Sequence, residues 1–372
     1  MSSVADKLIM ACQSKGSEPF TRLFQFGTTA LSLNIEDINN ISVIDSFNPG
    51  SLNGNAAWYS PGPTAIDRTA ELIPYCIVAV NIGLWLVDIS DPTDLSVTDS
   101  LTSQDNKLAN ASSMILDVGN SNAYLAMKEM NRFSRYNYSD PTDLTFTDTH
   151  LNPLGSANKV TSLSADFEDA STFYASGNNV HREEPVFGNS YPYGIGNTIS
   201  IANTDPYISS GTGFSDHTRF DPVTKIIYGL DYANDSMWAV DVSANTASNA
   251  GIVLADSIRD TTNIASPVTC DIDLTNRLFF TYSRFGYVSA IDFTDPTNLV
   301  LKDTLLHADF VGGNNQSKTI RCDPVRQLLF LTGPNQSRKI KVIDYSDPTS
   351  LDYVVSFTTP SADGNGHKIE LS

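Results

Sequence analysis

Ile343-Asp344-Tyr345-Ser346-Asp347-Pro348-Thr349-Ser350-Leu351 decides how this chain is read, because the pattern recurs. It returns as Ile291-Asp292-Phe293-Thr294-Asp295-Pro296-Thr297-Asn298-Leu299 and as Leu86-Val87-Asp88-Ile89-Ser90-Asp91-Pro92-Thr93-Asp94-Leu95. A shorter copy is Tyr138-Ser139-Asp140-Pro141-Thr142-Asp143-Leu144. Recurrence at a steady period marks a repeat architecture.

The residue two before Ser/Thr-Asp-Pro serves as a ruler. It falls at Asp88, Asn137, Ala202, Asp292 and Asp344, with weaker copies at Asn34 and Asp241. The steps are 54, 49, 65, 39, 51 and 52 residues, which gives seven marks. The long step followed by a short one places an insertion before the mark of copy four. Asp117, Asp221, Asp273 and Asp323 form a second column, each seven residues before an aromatic: Tyr124, Tyr228, Phe280 and Phe330.

Each copy resolves into four short strands, which are plainest in the last. Strand a spans Ser317 to Cys322, b Gln327 to Thr332, c Lys339 to Tyr345 and d Leu351 to Phe357. Alternation and β-branched or aromatic content favour strands over helices. Proline presets the turn's φ, and the Asp before it can accept a backbone N–H two residues on. Four-stranded units repeated four to eight times are what a β-propeller requires. The expected fold is therefore all-β, a seven-bladed propeller of four-stranded blades over residues 20–372. Residues 1–19 form an arm or short helix, since Val4, Leu8, Ile9, Ala11 and Cys12 recur at helical spacing between a Ser cap and Gly16.

The first copy offers strand b (Phe20 to Phe26), c (Ala30 to Ile35) and d (Ile41 to Phe47) but no strand a. Gly366 to Leu371 has the length and alternation to supply it, so the ring is expected to close through this C-terminal strand.

Leu84-Trp85-Leu86-Val87-Asp88-Ile89-Ser90-Asp91-Pro92 resembles the LVIVD-repeat family, in which an apolar strand runs into Val-Asp and then Asp-Pro. The resemblance covers about residue 20 to the end. It implies a propeller with a surface or binding role and supplies no catalytic residues.

The chain has 23 basic and 42 acidic residues, a net charge of −19. That surface disfavours nucleic acid, whose phosphates reward Lys and Arg, and it repels anionic membranes. No apolar run approaches a membrane span, and the N-terminal segment lacks a secretion signal's basic start and apolar core. The expected setting is cytoplasmic or a virion. Cys12, Cys76, Cys270 and Cys322 include no CxxC, so they read as apolar fillers rather than a zinc site.

Propeller topology puts the a–b and c–d turns on one side and the d–a and b–c loops on the other. The first set is short and repetitive. The second holds the irregular segments Asn48 to Pro63, Thr102 to Ser112, Asn152 to Lys159, Gly177 to Asn197 and His307 to Gln316. Variable loops on one side of a rigid scaffold are where binding residues collect. The candidates are Trp58, Tyr59, Arg68, His181, Arg182, Tyr191, Tyr193 and His307, with Phe187 beside them, because aromatic and Arg side chains dominate binding hot spots. The same rings can instead pack the loops onto the scaffold. In the channel, Arg219, Asp271 and Arg321 stand two residues before the turn Asp of neighbouring blades. They read as an ion network holding blades together, or as an anion site.

No GxSxG, HExxH, P-loop or GxGxxG occurs in its required context, and the five histidines (His150, His181, His217, His307, His367) are scattered. The Asp-Pro turns lack the glycine and alternate ligand spacing of a calcium loop and read as Asx turns. No catalytic residue, metal or cofactor is assigned. The expected function is a structural or interaction module that binds a protein or glycan through the long-loop side, with assembly into a phage or virus particle as a further expectation. The alternative is a glycan-active hydrolase or lyase using the same side or the channel, with Glu183 and Glu184 beside His181 as acid-base candidates.

Overall fold

The computed structural model describes residues 19–26, 30–47, 59–79, 83–102, 111–127, 132–151, 160–166, 171–176, 179–183, 198–200, 218–232, 234–243, 253–311, 319–332, 339–360 and 368–372. The expected N-terminal arm lies outside them.

Among the described residues, twenty-eight strands make seven four-stranded antiparallel sheets. The first contains β1 (Arg22–Phe26), β2 (Ala30–Asn34) and β3 (Ser42–Phe47). The second is β4 (Tyr59–Thr64), β5 (Leu72–Ala79), β6 (Gly83–Asp88) and β7 (Ser96–Thr102). The third is β8 (Ala111–Asp117), β9 (Asn122–Met127), β10 (Arg132–Asn137) and β11 (Thr145–Leu151). The fourth is β12 (Val160–Asp166), β13 (Ser171–Ser176), β14 (Asn179–Glu183) and β15 (Thr198–Ser200). The fifth is β16 (Thr218–Asp221), β17 (Ile226–Asp231), β18 (Ser236–Asp241) and β19 (Val253–Arg259). The sixth is β20 (Pro267–Asp273), β21 (Leu278–Ser283), β22 (Tyr287–Asp292) and β23 (Val300–Leu306). The seventh is β24 (Thr319–Asp323), β25 (Leu328–Thr332), β26 (Lys339–Asp344) and β27 (Asp352–Thr358). The last strand, β28 (Lys368–Leu371), pairs with β1 and completes the first sheet, Leu23 facing Leu371 and Gln25 facing Ile369. The innermost strands β4, β8, β12, β16, β20, β24 and β28 neighbour one another in a closed cycle, as in a propeller.

The expectation of seven blades each carrying the marked repeat is corrected: the mark ends strand c in six sheets and not in the fourth. Six sheets carry the repeat: β2, β6, β10, β18, β22 and β26 each end on the ruler residue. In each, the Asn or Asp Oδ1 accepts the N–H two residues on, at 2.7 to 3.1 Å. The fourth sheet departs. Its third strand is β14, ending at Glu183, whereas Ala202, the mark expected to end that strand, lies outside the described residues. Its fourth strand is only three residues long. The Asn203-Thr204-Asp205-Pro206 run also lies outside the described residues, and in the chain it follows the sheet's fourth strand rather than its third.

Packing explains the rest. Strand b reads as a continuous apolar run because β17, β21 and β25 are buried on both faces. Most core clusters of the described residues are shared by adjacent sheets: Phe330 and Val342 of the seventh pack with Leu23 and Leu33 of the first, and Phe280 of the sixth with Tyr345 of the seventh, while Ile227, Trp238 and Val240 cluster within the fifth. Strand d is the exposed outer edge and carries a bulge in six sheets, which twists it away from edge pairing. Among the described residues no helix is long and apolar enough to cross a membrane.

Candidate functional site

Strand a brings charged side chains to the axis. Arg219 on β16 gives its Nε to Asp271 Oδ1 of β20 at 2.9 Å. Asp271 Oδ2 accepts the Cys322 N–H of β24 at 2.8 Å. Arg321, beside it, grips Glu370 of β28 through Nε and Nη2 at 3.1 and 2.9 Å. Glu370 Oε1 also accepts the Thr64 hydroxyl of β4 at 2.8 Å. Hydroxyls extend the belt: Thr218 meets Ser162 at 2.7 Å and Ser164 at 3.0 Å, and Ser113 accepts the Leu163 N–H. The expected Arg-Asp-Arg group is therefore divided into two pairs, Arg219 with Asp271 and Arg321 with Glu370. The sequence reading missed Glu370. Its signal was that it lies two residues before Ser372, the same offset as Arg321 before Asp323.

The turn Asp column behaves as five Asx caps. Asp117, Asp221, Asp273 and Asp323 accept N–H groups two or three residues on through Oδ1, and Asp67 does the same in the second sheet. The other oxygen is also used, often by the next sheet. Tyr138 OH reaches Asp67 at 3.1 Å and Tyr345 OH reaches Asp273 at 2.8 Å. Burial, reinforced by those carboxylates, holds both phenols far above the ordinary tyrosine range. Burial likewise raises the Cys322 thiol, leaving it a neutral filler.

On the turn side, Asp91, Asp140, Asp295 and Asp347 are fully exposed, and each binds the hydroxyl and N–H of a Thr two residues on. Those bonds hold all four carboxyls below the usual Asp value. Among the described residues no group of three or more His, Cys, Asp or Glu is placed to hold a metal.

The loop-side candidates separate. Trp58, Tyr191, Tyr193 and Phe187 lie outside the described residues. Tyr59 opens β4, and His181 and Arg182 lie within β14 opposite Tyr174 and Phe173, so all three belong to strands rather than to the expected loops. Arg68 turns to the closing strand: its Nε and Nη2 both donate to the Leu371 carbonyl, at 3.1 and 3.0 Å, and its guanidinium lies over the Phe20 ring. His307 stacks on Tyr353, centroids 4.1 Å apart and planes 8° apart, with Phe310 at 5.4 Å.

That last group underlies an exposed patch the sequence reading did not single out. The short 3-10 turn Ala308–Phe310 follows β23, with Phe310 fully buried against Tyr282, Tyr353 and the Lys341 ammonium. The b–c turn of the same sheet presses on it. Gly286 has φ +92°, and a Cβ there would stand 2.7 Å from the Phe310 carbonyl carbon, so only glycine fits. Around this contact Phe285, Leu306 and Val311 are 50%, 51% and 53% exposed.

No family model matches the sequence, and no curated protein does. Solved structures share the fold. They include the periplasmic gluconolactonase of Pseudomonas aeruginosa (7% identity, TM-score 0.71, 95% of this chain and 99% of that one). A proposed 6-phosphogluconolactonase of Bacteroides uniformis is similar at 10% identity and TM-score 0.69, over 94% and 99% of the two chains. A protein of unknown function from Desulfotomaculum acetoxidans is similar at 12% and 0.69, over 94% and 98%. Identities this low carry the fold alone.

Proposed function

We propose that this chain is a non-enzymatic propeller that binds a protein or glycan through the side bearing its d–a and b–c connections. The observation that carries the reading is the Phe285, Leu306 and Val311 patch, three large apolar side chains about half exposed over a base fixed by Phe310 and Gly286. Exposed apolar side chains grouped on a rigid base mark interaction surfaces. The axial charges support it too, since Arg219, Asp271, Arg321 and Glu370 spend hydrogen bonds tying neighbouring strands together. A role within a phage or virus particle belongs to the same proposal and is checked by looking for the chain in purified particles.

The test is binding of the purified chain to a glycan array and to candidate protein partners, with Phe285→Asp beside the wild type. Binding that the substitution abolishes at unchanged melting temperature supports the reading. A second reading, hydrolysis or lysis of a sugar substrate at the axis, is favoured by the arginine–carboxylate pairs there and by the lactonases that share the fold. Turnover of a sugar lactone or glycan that Glu370→Gln abolishes and Phe285→Asp spares would replace the first reading with the second.

A further inference from the structure

Gln25 occupies an apolar position. On β1 it faces Ile369 of β28 and Leu31 of β2 and stands two residues from Leu23, so all four share one face of the first sheet. Leu23, Leu31 and Ile369 are buried there with Phe330, Ile340 and Val342 of the seventh sheet. Gln25 is 1% exposed, and neither Oε1 nor Nε2 of its amide has a hydrogen-bond partner. Among the described residues no other side-chain amide is buried in that state. Enclosing an amide without partners forfeits its hydration and destabilises the folded chain. Leucine holds the same register position in the third and seventh sheets, as Leu125 and Leu331, and carries no such cost.

The order of closure gives that amide a use. Six sheets are built from consecutive strands, whereas β1 receives its inner partner from the far end of the chain, more than three hundred residues on. Contacts of that separation form late, because a long loop must close before they stabilise anything. Until then β1 is the edge of a three-stranded sheet, open to pairing with other chains. We propose that Gln25 guards this edge. In the unclosed sheet its amide is hydrated, and a foreign strand that packs over it must strip that water and supply nothing in return. β28 meets the same penalty but brings compensation that a foreign strand lacks. Glu370 receives Arg321, the Leu371 carbonyl accepts from Arg68, and the Ser372 carbonyl accepts the Thr21 and Arg22 N–H groups. Gln25 thus lowers the stability of the closed ring and raises the solubility of the open one.

The experiment compares the full chain with Gln25→Leu and Thr281→Val. Thr281 fills the Gln25 position in the sixth sheet, opposite Ser289, and is fully buried with its hydroxyl also unpartnered, but its sheet is built from consecutive strands. Melting temperature is read on each purified chain. Soluble yield is read on refolding by dilution from urea over a range of chain concentrations, and again on expression at rising levels. Both variants are expected to melt higher than wild type, Gln25→Leu by about 2 °C. Only Gln25→Leu is expected to lose soluble yield, and to lose more as concentration rises. A Gln25→Leu chain that melts lower than wild type overturns the proposal, because the amide would then be hydrogen-bonded in the closed ring. A stabilised Gln25→Leu chain that keeps its soluble yield, or loses no more than Thr281→Val does, overturns it as well, because the amide would then guard nothing.

Discussion

Asp303 Oδ2 accepts the backbone N–H of Leu351 at 2.7 Å, across the boundary between the sixth and seventh sheets. Asp45 does the same for Leu95, Asp99 for Leu144 and Asp256 for Leu299, at 2.6 to 2.7 Å. Each Asp stands fourth on its strand d, and each Leu ends the next sheet's c–d corner. Asp148 holds the same place on β11 but pairs with Arg135 of its own sheet, and residues 184–197, between strands c and d of the following sheet, contain no Asp-Pro-Thr run. Asp303→Ala leaves the Leu351 N–H without its charged acceptor and should cost about 2 kcal/mol in urea unfolding. Asp148→Ala, at the partly exposed Arg135 pair, should cost about 1 kcal/mol or less. Equal losses would show that the interblade bond adds nothing.

The position after the strand-c ruler residue chooses between two ways of satisfying the turn Asp of the previous sheet. Tyr345 and Tyr138 use a phenol. Phe293 has none, and there Arg277 lies over the ring and gives Nη1 to Asp221 Oδ2 at 2.6 Å. Tyr345→Phe and Tyr138→Phe should each destabilise by about 1–2 kcal/mol, from a buried carboxylate oxygen losing a donor. Phe293→Tyr should gain nothing, because its Asp is already served. A stabilised Phe293→Tyr would reject this account.

The depressed Asp347 carboxyl depends first on the Thr349 hydroxyl, 2.6 Å away, and then on the Thr349 N–H. Thr349→Ala should move the Asp347 titration back up toward the ordinary value, read from its carboxyl carbon by NMR. A folded-state value below the unfolded one means a contribution to stability present above about pH 4 and lost as pH falls through the folded value. The variant should therefore lose that pH-dependent contribution in the acid range. An unmoved titration would put the cause elsewhere.

Arg321 and Glu370 are both largely buried, and removing one leaves the other's charge stranded. Glu370→Ala should cost about 3 kcal/mol, and Arg321→Ala with Glu370→Ala clearly less than the sum of the singles. Deleting residues 361–372 removes β28 altogether and should lower the melting temperature far more. A truncated chain that melts unchanged would mean the first sheet does not need its closing strand.

The architecture was legible where chemistry repeats. The ruler worked in six sheets because an Asn or Asp ending strand c has one job, to accept the N–H two residues on. It failed at Ala202, which comes nineteen residues after strand c of its sheet ends at Glu183, and periodicity alone cannot tell a repeated motif from a chance Thr-Asp-Pro run. The Asp45, Asp99, Asp148 and Asp303 column was equally readable, lying eleven residues after Asn34, Asp88, Asn137 and Asp292, but its meaning needs the neighbouring sheet to be in place. Arg68 shows the limit more sharply. It looked like a binding residue beside aromatics, and its partner, the Leu371 carbonyl, is a backbone group that no side-chain pattern advertises.

Pairing β1 with β28 also sets an order on biosynthesis. The sheet translated first lacks its innermost strand until residue 368 leaves the ribosome, more than three hundred residues after β3. At ordinary elongation rates that is a wait of roughly 20–60 s. Through that interval the inner edge of β1 offers unpaired backbone to any extended segment nearby, including strands of another nascent chain on the same message. Early protection of that edge, by a chaperone or by spacing between ribosomes, is then a condition for high yield, and crowded expression should fail by aggregation before it fails by misassembly of the later sheets.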